Sequence, residues 1–167
     1  MTRTRKLGRS LLLTGLLSCL ALLAFSATAS AATTTLTFKE PEKGSTFAFI
    51  DNAPKSQLQH GFPTKFSAGD EIIFTNPIEV AGKIVGRNHV VCTATRSASA
   101  KNFAAAEFSC NGIAKISGST LVFSAMLSEG NTEGAITGGS GAYAGARGTF
   151  VTKEGKGTST VTVTLIE

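Results

Sequence analysis

Ala135-Ile136-Thr137-Gly138-Gly139-Ser140-Gly141-Ala142-Tyr143-Ala144-Gly145-Ala146-Arg147-Gly148-Thr149-Phe150 is the stretch on which the fold turns. Five glycines fall within fourteen of these residues. A helix interior would lose roughly 1 kcal/mol at each one relative to alanine, so the segment is not helical. Gly138-Gly139-Ser140-Gly141 reads as a tight connection that needs positive φ. Beyond it Ala, Tyr, Arg and Phe resume an extended pattern, in which Gly145 and Gly148 mark bulges or sharp corners of a curved sheet.

The rest of the chain beyond residue 31 has the same character. Thr33 to Phe38, Phe47 to Asp51, Glu71 to Thr75, Lys83 to Arg96, Phe103 to Cys110, Leu121 to Leu127, Tyr143 to Thr152 and Ser159 to Ile166 read as strands. The last alternates most cleanly, Val161, Val163 and Leu165 against Thr160, Thr162 and Thr164. Lys55 to Lys65 reads as a polar loop, and no segment keeps an apolar period of 3.6. About eight short antiparallel strands result, an all-β chain. Pattern alone allows a two-sheet sandwich or a closed barrel. Closure removes exposed edges, and an eight-stranded barrel has room for one small apolar ligand.

The glycine-rich stretch resembles the Gly-Gly-Thr-Gly…Ala-Arg-Gly signature of dirigent proteins and the Ala-Ile-Thr-Gly-Gly-x-Gly stretch of allene oxide cyclases. Upstream, Gly69-Asp70-Glu71-Ile72-Ile73-Phe74-Thr75-Asn76 is similar to the cyclase Gly-Asp…Phe-Thr-Asn segment. Val85-Gly86-Arg87 and Gly118-Ser119-Thr120-Leu121 are similar to dirigent tetrads and triads in the same order. Together they span roughly residues 47 to 150. The resemblance implies a closed antiparallel eight-stranded β-barrel of the allene oxide cyclase/dirigent-like superfamily, and a homotrimer. A shared fold does not by itself name a reaction.

Residues 1–31 read as a secretory signal peptide, leaving 32–167 as a single β-barrel domain. Arg3, Arg5, Lys6 and Arg9 precede an apolar run from Leu11 to Phe25, and small residues before Ala29 and Ala31 offer cleavage sites. The expected product is secreted, extracellular or periplasmic, without stable membrane insertion. The leader holds four of the 16 basic residues and none of the 11 acidic ones, leaving 12 against 11. No basic stripe therefore remains for nucleic acid.

Cys19 departs with the leader, so the exported part contains Cys92 and Cys110. If Asn88 to Arg96 and Phe103 to Cys110 form a hairpin with its tip near Lys101, the two cysteines face each other and a disulfide follows. The alternatives are two buried thiols, or Cys92 as a pocket residue. Allene oxide cyclases also have a Cys six residues after the corresponding Val-Gly glycine.

Phe47, Phe49 and Asp51 share one strand face, since side chains alternate with period two. An inward face would put a carboxylate at the end of an aromatic lining. Both families carry a functional acid near this strand end, so Asp51 is the leading catalytic candidate; the plain alternative is an Asp-Asn-Ala-Pro turn. Arg147 is the second, sharing a face with Tyr143. Arg87, favoured by the dirigent resemblance, and Cys92, favoured by the cyclase one, lie on opposite faces of one strand. Only one of them can look inward. His60 and His89 lack metal-ligand neighbours, so no metal or other cofactor is expected.

The expectation is a barrel that binds an apolar small molecule and directs a cofactor-free cyclisation, isomerisation or stereoselective coupling. Asp51 and Arg147 would be catalytic, and Phe47, Phe49, Arg87 and Tyr143 would bind the ligand. A non-catalytic barrel carrying a hydrophobic ligand and a solid structural module are the alternatives.

Overall fold

The computed structural model describes residues 32–55, 58–59, 62–99, 105–127 and 132–166. Residues 1–31, on which the expected signal peptide falls, and His60, Lys101 and Phe103 lie outside the described residues. The strands are β1 (Thr33–Pro41), β2 (Thr46–Ile50), β3 (Leu58–Gln59), β4 (Phe62–Pro63), β5 (Lys65–Phe66), β6 (Glu71–Val80), β7 (Lys83–Arg96), β8 (Ala98–Ser99), β9 (Glu107–Ile116), β10 (Ser119–Leu127), β11 (Thr132–Ser140), β12 (Arg147–Lys153) and β13 (Thr158–Ile166).

From β6 to β13 the long strands form an antiparallel meander, β6-β7-β9-β10-β11-β12-β13. β1 then pairs along the whole of β13, from Thr33↔Ile166 to Pro41↔Thr158, and meets β6 at Lys39↔Glu79. That contact closes an eight-stranded barrel. β2 continues the stave that β1 begins, pairing with the other half of β6 from Thr46↔Thr75 to Ile50↔Glu71. Pro77 stands in the gap between these two partners, a position where proline does not break a ladder.

The eight staves are not quite those read from sequence. Phe47 to Asp51 supplies only part of one stave, and Thr132–Ser140 is a complete strand of its own. Gly138 and Gly139 are strand residues rather than a turn. A Cβ on Gly139 would collide with the Tyr143 carbonyl, so the glycine marks a close approach of backbone to backbone. Tyr143 lies in a 3₁₀ turn (Gly141–Tyr143) and the following strand starts at Arg147.

Alternation decides what faces inward. In β13, Val161, Val163 and Leu165 are buried between half-buried threonines. In β9, Phe108, Cys110, Gly112, Ala114 and Ile116 all point inside. Two packed clusters result. One gathers Phe38, Ile78, Leu121, Ile136, Phe150 and Val163. The other gathers Phe66, Ile72, Cys92 and Phe108, with Phe66 edge-on to both Phe49 (5.5 Å) and Phe108 (5.6 Å). Such edge-to-face pairs contribute about 0.5–1.5 kcal/mol each beyond their buried area.

Cys92 and Cys110 are directly opposite in the β7–β9 register and form a disulfide, as the hairpin arithmetic requires. Asp70 is fully buried beside this cluster. It accepts hydrogen bonds from the Asn52 N–H (2.9 Å), the Ser67 N–H (2.7 Å) and the Ser67 hydroxyl (3.1 Å). Asn52 reciprocates, its Nδ2 donating to the Gly69 carbonyl at 2.7 Å. The Gly-Asp pair thus ties the turn after β2 to the entrance of β6.

Candidate functional site

Between the two clusters the interior stays open, as a cavity of about 130 Å³. This is close to the ~150 Å³ of an engineered apolar cavity that admits benzene. Its wall is mainly Phe38, Phe74, Phe123, Phe150, Leu121 and Val163. Phe123 reaches across it because β9 offers no side chain at Gly112, where a Cβ would collide with the ring. The ring rests edge-on to Phe150 at 5.2 Å and packs against both clusters.

Polar groups enter this lining too, Glu40, Asn76, Asn88, Thr132, Thr152 and Glu154, and Glu40 is the one held between two amides. β1 alternates Leu36, Phe38, Glu40 on its inner face, so the carboxylate follows the aromatic ring into the barrel. Asn88, buried on β7, donates from Nδ2 to Glu40 Oε1 at 2.6 Å. Asn76, opposite Asn88 in the β6–β7 register, donates from Nδ2 to Oε2 at 3.0 Å. The Asn76 backbone N–H donates to Asn88 Oδ1 at 2.7 Å. That bond engages the oxygen of the Asn88 amide and leaves its NH₂ turned to the carboxylate. Burial pushes the Glu40 carboxyl above the ordinary glutamate value of 4.5, the two amide donors pull it back, and the Glu154 charge raises it further. Glu154 also lines the cavity, with Ser159 donating to it at 2.9 Å.

The arrangement is a carboxylate held in a fixed orientation at the edge of an apolar hollow. A carboxylate has room for about four hydrogen bonds, and the amides occupy two. The remaining acceptor capacity and a perturbed proton affinity are what general acid–base work requires.

The residues singled out in the sequence sit elsewhere. Phe49 faces inward and packs into the Phe66 cluster. Phe47 is on the same strand face but is 55% exposed, and Asp51 is partly buried at the strand's end. Arg147 is exposed and donates to the adjacent Ala146 carbonyl at 2.7 Å. Tyr143 packs under the other end of the barrel against the Phe38 cluster. Arg87 points outward and donates to the Gly44 carbonyl at 2.9 Å, whereas Cys92 points inward and is bound to Cys110. None of Phe47, Phe49, Asp51, Arg87, Tyr143 and Arg147 lines the cavity.

A pyocyanin demethylase of solved structure superposes on 80% of this chain and 99% of its own, with a TM-score of 0.59 at 21% identity. This chain shares the fold of that protein, a closed antiparallel eight-stranded β-barrel. A pterocarpan synthase dirigent protein also matches, over 81% of this chain and 86% of its own, with a TM-score of 0.49 at 22% identity. No protein-family model and no curated protein matches the chain.

In this barrel the cavity residues that sequence reading misses are Glu40, Asn76 and Asn88. The signal for Glu40 was present. Thr33 to Phe38 was read as alternating, and two more residues of the same alternation place Glu40 beside Phe38. Asn76 closes the Phe-Thr-Asn segment, one residue beyond the strand expected over Glu71 to Thr75, and β6 continues through it to Val80. Among the described residues no helix is long and apolar enough to cross a membrane.

Proposed function

We propose that the barrel binds a small molecule with an apolar body in its cavity and exchanges a proton with it through Glu40. Isomerisation or cyclisation without a cofactor is the reaction class. The observation that carries this reading is the half-buried carboxylate held by two asparagine amides at the edge of an aromatic-walled hollow. Its mechanism has three parts. The phenylalanine wall desolvates the guest and restricts its conformations. Asn76 and Asn88 hold the carboxylate in one orientation. Glu40 then accepts a proton from an acidified C–H or O–H of the guest and returns it at a second position, so no net proton is consumed. Groups used in this way contribute typically 10²–10⁴-fold in rate. Export fits the disulfide, which persists in oxidising compartments, and native mass spectrometry decides the homotrimer.

A carrier without chemistry is the second reading, favoured by the predominance of apolar side chains in the wall. Two probes separate the readings. Benzyl alcohol, followed by calorimetry, reports occupancy; cyclohex-3-enone reports proton transfer through the absorbance of its conjugated isomer. The expected result is binding of the alcohol by the protein and by Glu40→Gln, with isomerisation at least ~100-fold slower in the variant. Equal isomerisation by the two proteins overturns the role of Glu40. Binding of both probes with no isomerisation leaves the carrier.

A further inference from the structure

We infer that the guest this cavity selects is a small organic cation, a protonated amine on an apolar body of single-ring size. The inference rests on the binding reading above and adds the charge of the guest to it.

The charge balance of the lining is one-sided. Glu40 and Glu154 both face the cavity, and none of the described lining residues is lysine, arginine or histidine. The basic residues nearest in the chain do not correct this. Lys39 and Lys153 occupy the outward faces of β1 and β12, Lys156 lies in the turn beyond, and all three are exposed. The amide donors that could have greeted an anionic guest are already turned to Glu40. What remains toward the hollow is carboxylate oxygen with unused acceptor capacity and the hydroxyls of Thr132 and Thr152, which accept as readily as they donate. A carboxylate guest would meet the Glu40 carboxylate where screening is weaker than in water, and beyond it the charge of the exposed Glu154. An ammonium would instead complete the hydrogen bonding of Glu40 as a charge-assisted pair. Its hydrocarbon part would lie against Phe38, Phe74, Phe123 and Phe150, whose rings favour a nearby cation. The volume of about 130 Å³ sets the size at one ring.

The test uses three probes of one shape at pH 7, benzylammonium, benzyl alcohol and benzoate, titrated calorimetrically into the intact protein. The expected order is benzylammonium at least tenfold tighter than benzyl alcohol, with no binding of benzoate. In Glu40→Gln benzylammonium should weaken to within about twofold of benzyl alcohol measured on the same variant. In Glu154→Gln, where the side chain is exposed, benzylammonium should weaken about threefold. Benzyl alcohol or benzoate binding as tightly as benzylammonium overturns the charge inference and leaves the cavity reading intact. Failure of all three to bind overturns both. Should Glu40→Gln not fold, the wild-type order and Glu154→Gln decide alone.

Discussion

Asp70 and Glu40 are both carboxylates brought within the barrel wall, and their surroundings give them different work. Asp70 has no exposed surface and accepts three hydrogen bonds, each from the backbone or side chain of a neighbouring loop. Its acceptor capacity is spent on holding the chain. Glu40 accepts two, both from side-chain amides, and borders empty space. The difference between a structural and a chemical carboxylate therefore lies in what is left over once the protein has been satisfied. The same division runs through the interior, where the region beside Asp70 is packed and cross-linked and the region beside Glu40 is hollow.

The strongest attack on this contrast is Asp70→Ala, which strands three donors at the end of the packed region. It should cost about 4 kcal/mol of unfolding free energy in urea, without moving Glu40. A loss under ~1 kcal/mol would show that Asp70 does not hold the loops. Replacing Cys92 and Cys110 together by alanine removes a link between residues 18 apart and should cost about 3 kcal/mol. Phe123→Ala acts where the two regions meet. Its destabilisation should be about 2 kcal/mol for a partly buried ring, and its cavity should then take naphthalene-sized alcohols that the native protein refuses. Refusal by the variant would mean that Phe123 does not set the size limit.

The smallest effect concerns pH. Because the folded carboxyl of Glu40 holds its proton more tightly than in the unfolded chain, its contribution to stability is complete below about 4.3, the unfolded glutamate value. It is lost as pH rises through the higher folded value. Urea midpoints of Glu40→Gln should thus decline less between pH 4 and 8 than those of the native protein. Parallel declines would remove Glu40 from the account.

How far the sequence revealed this molecule follows from where its signals are local. Strand alternation in Thr158–Ile166 and the spacing of Cys92 and Cys110 about a turn are short-range facts, and both appear in the barrel as read. Glu40, Asn76 and Asn88 are separated by 36 and 48 residues and meet only through the β1–β6–β7 register. Nothing at position 40 announces that meeting. The strand readings Thr33 to Phe38 and Glu71 to Thr75 stop two residues short of Glu40 and one short of Asn76, whereas β1 runs to Pro41 and β6 to Val80. Asp51 shares its strand face with Phe49, whose ring packs on Phe66, and neither residue lines the hollow.

The stave shared by β1 and β2 has a jog at residues 42–45. Ser45 donates to the Pro41 carbonyl at 3.1 Å, Glu42 N–H to Gly157 O at 3.1 Å, and Arg87 secures Gly44 from outside. Glu40 stands two residues before it. Insertions or deletions at this seam would change the chain just beyond the carboxylate without touching the β1–β13 or β2–β6 pairings. A lineage could in this way exchange one guest for another without rebuilding the wall.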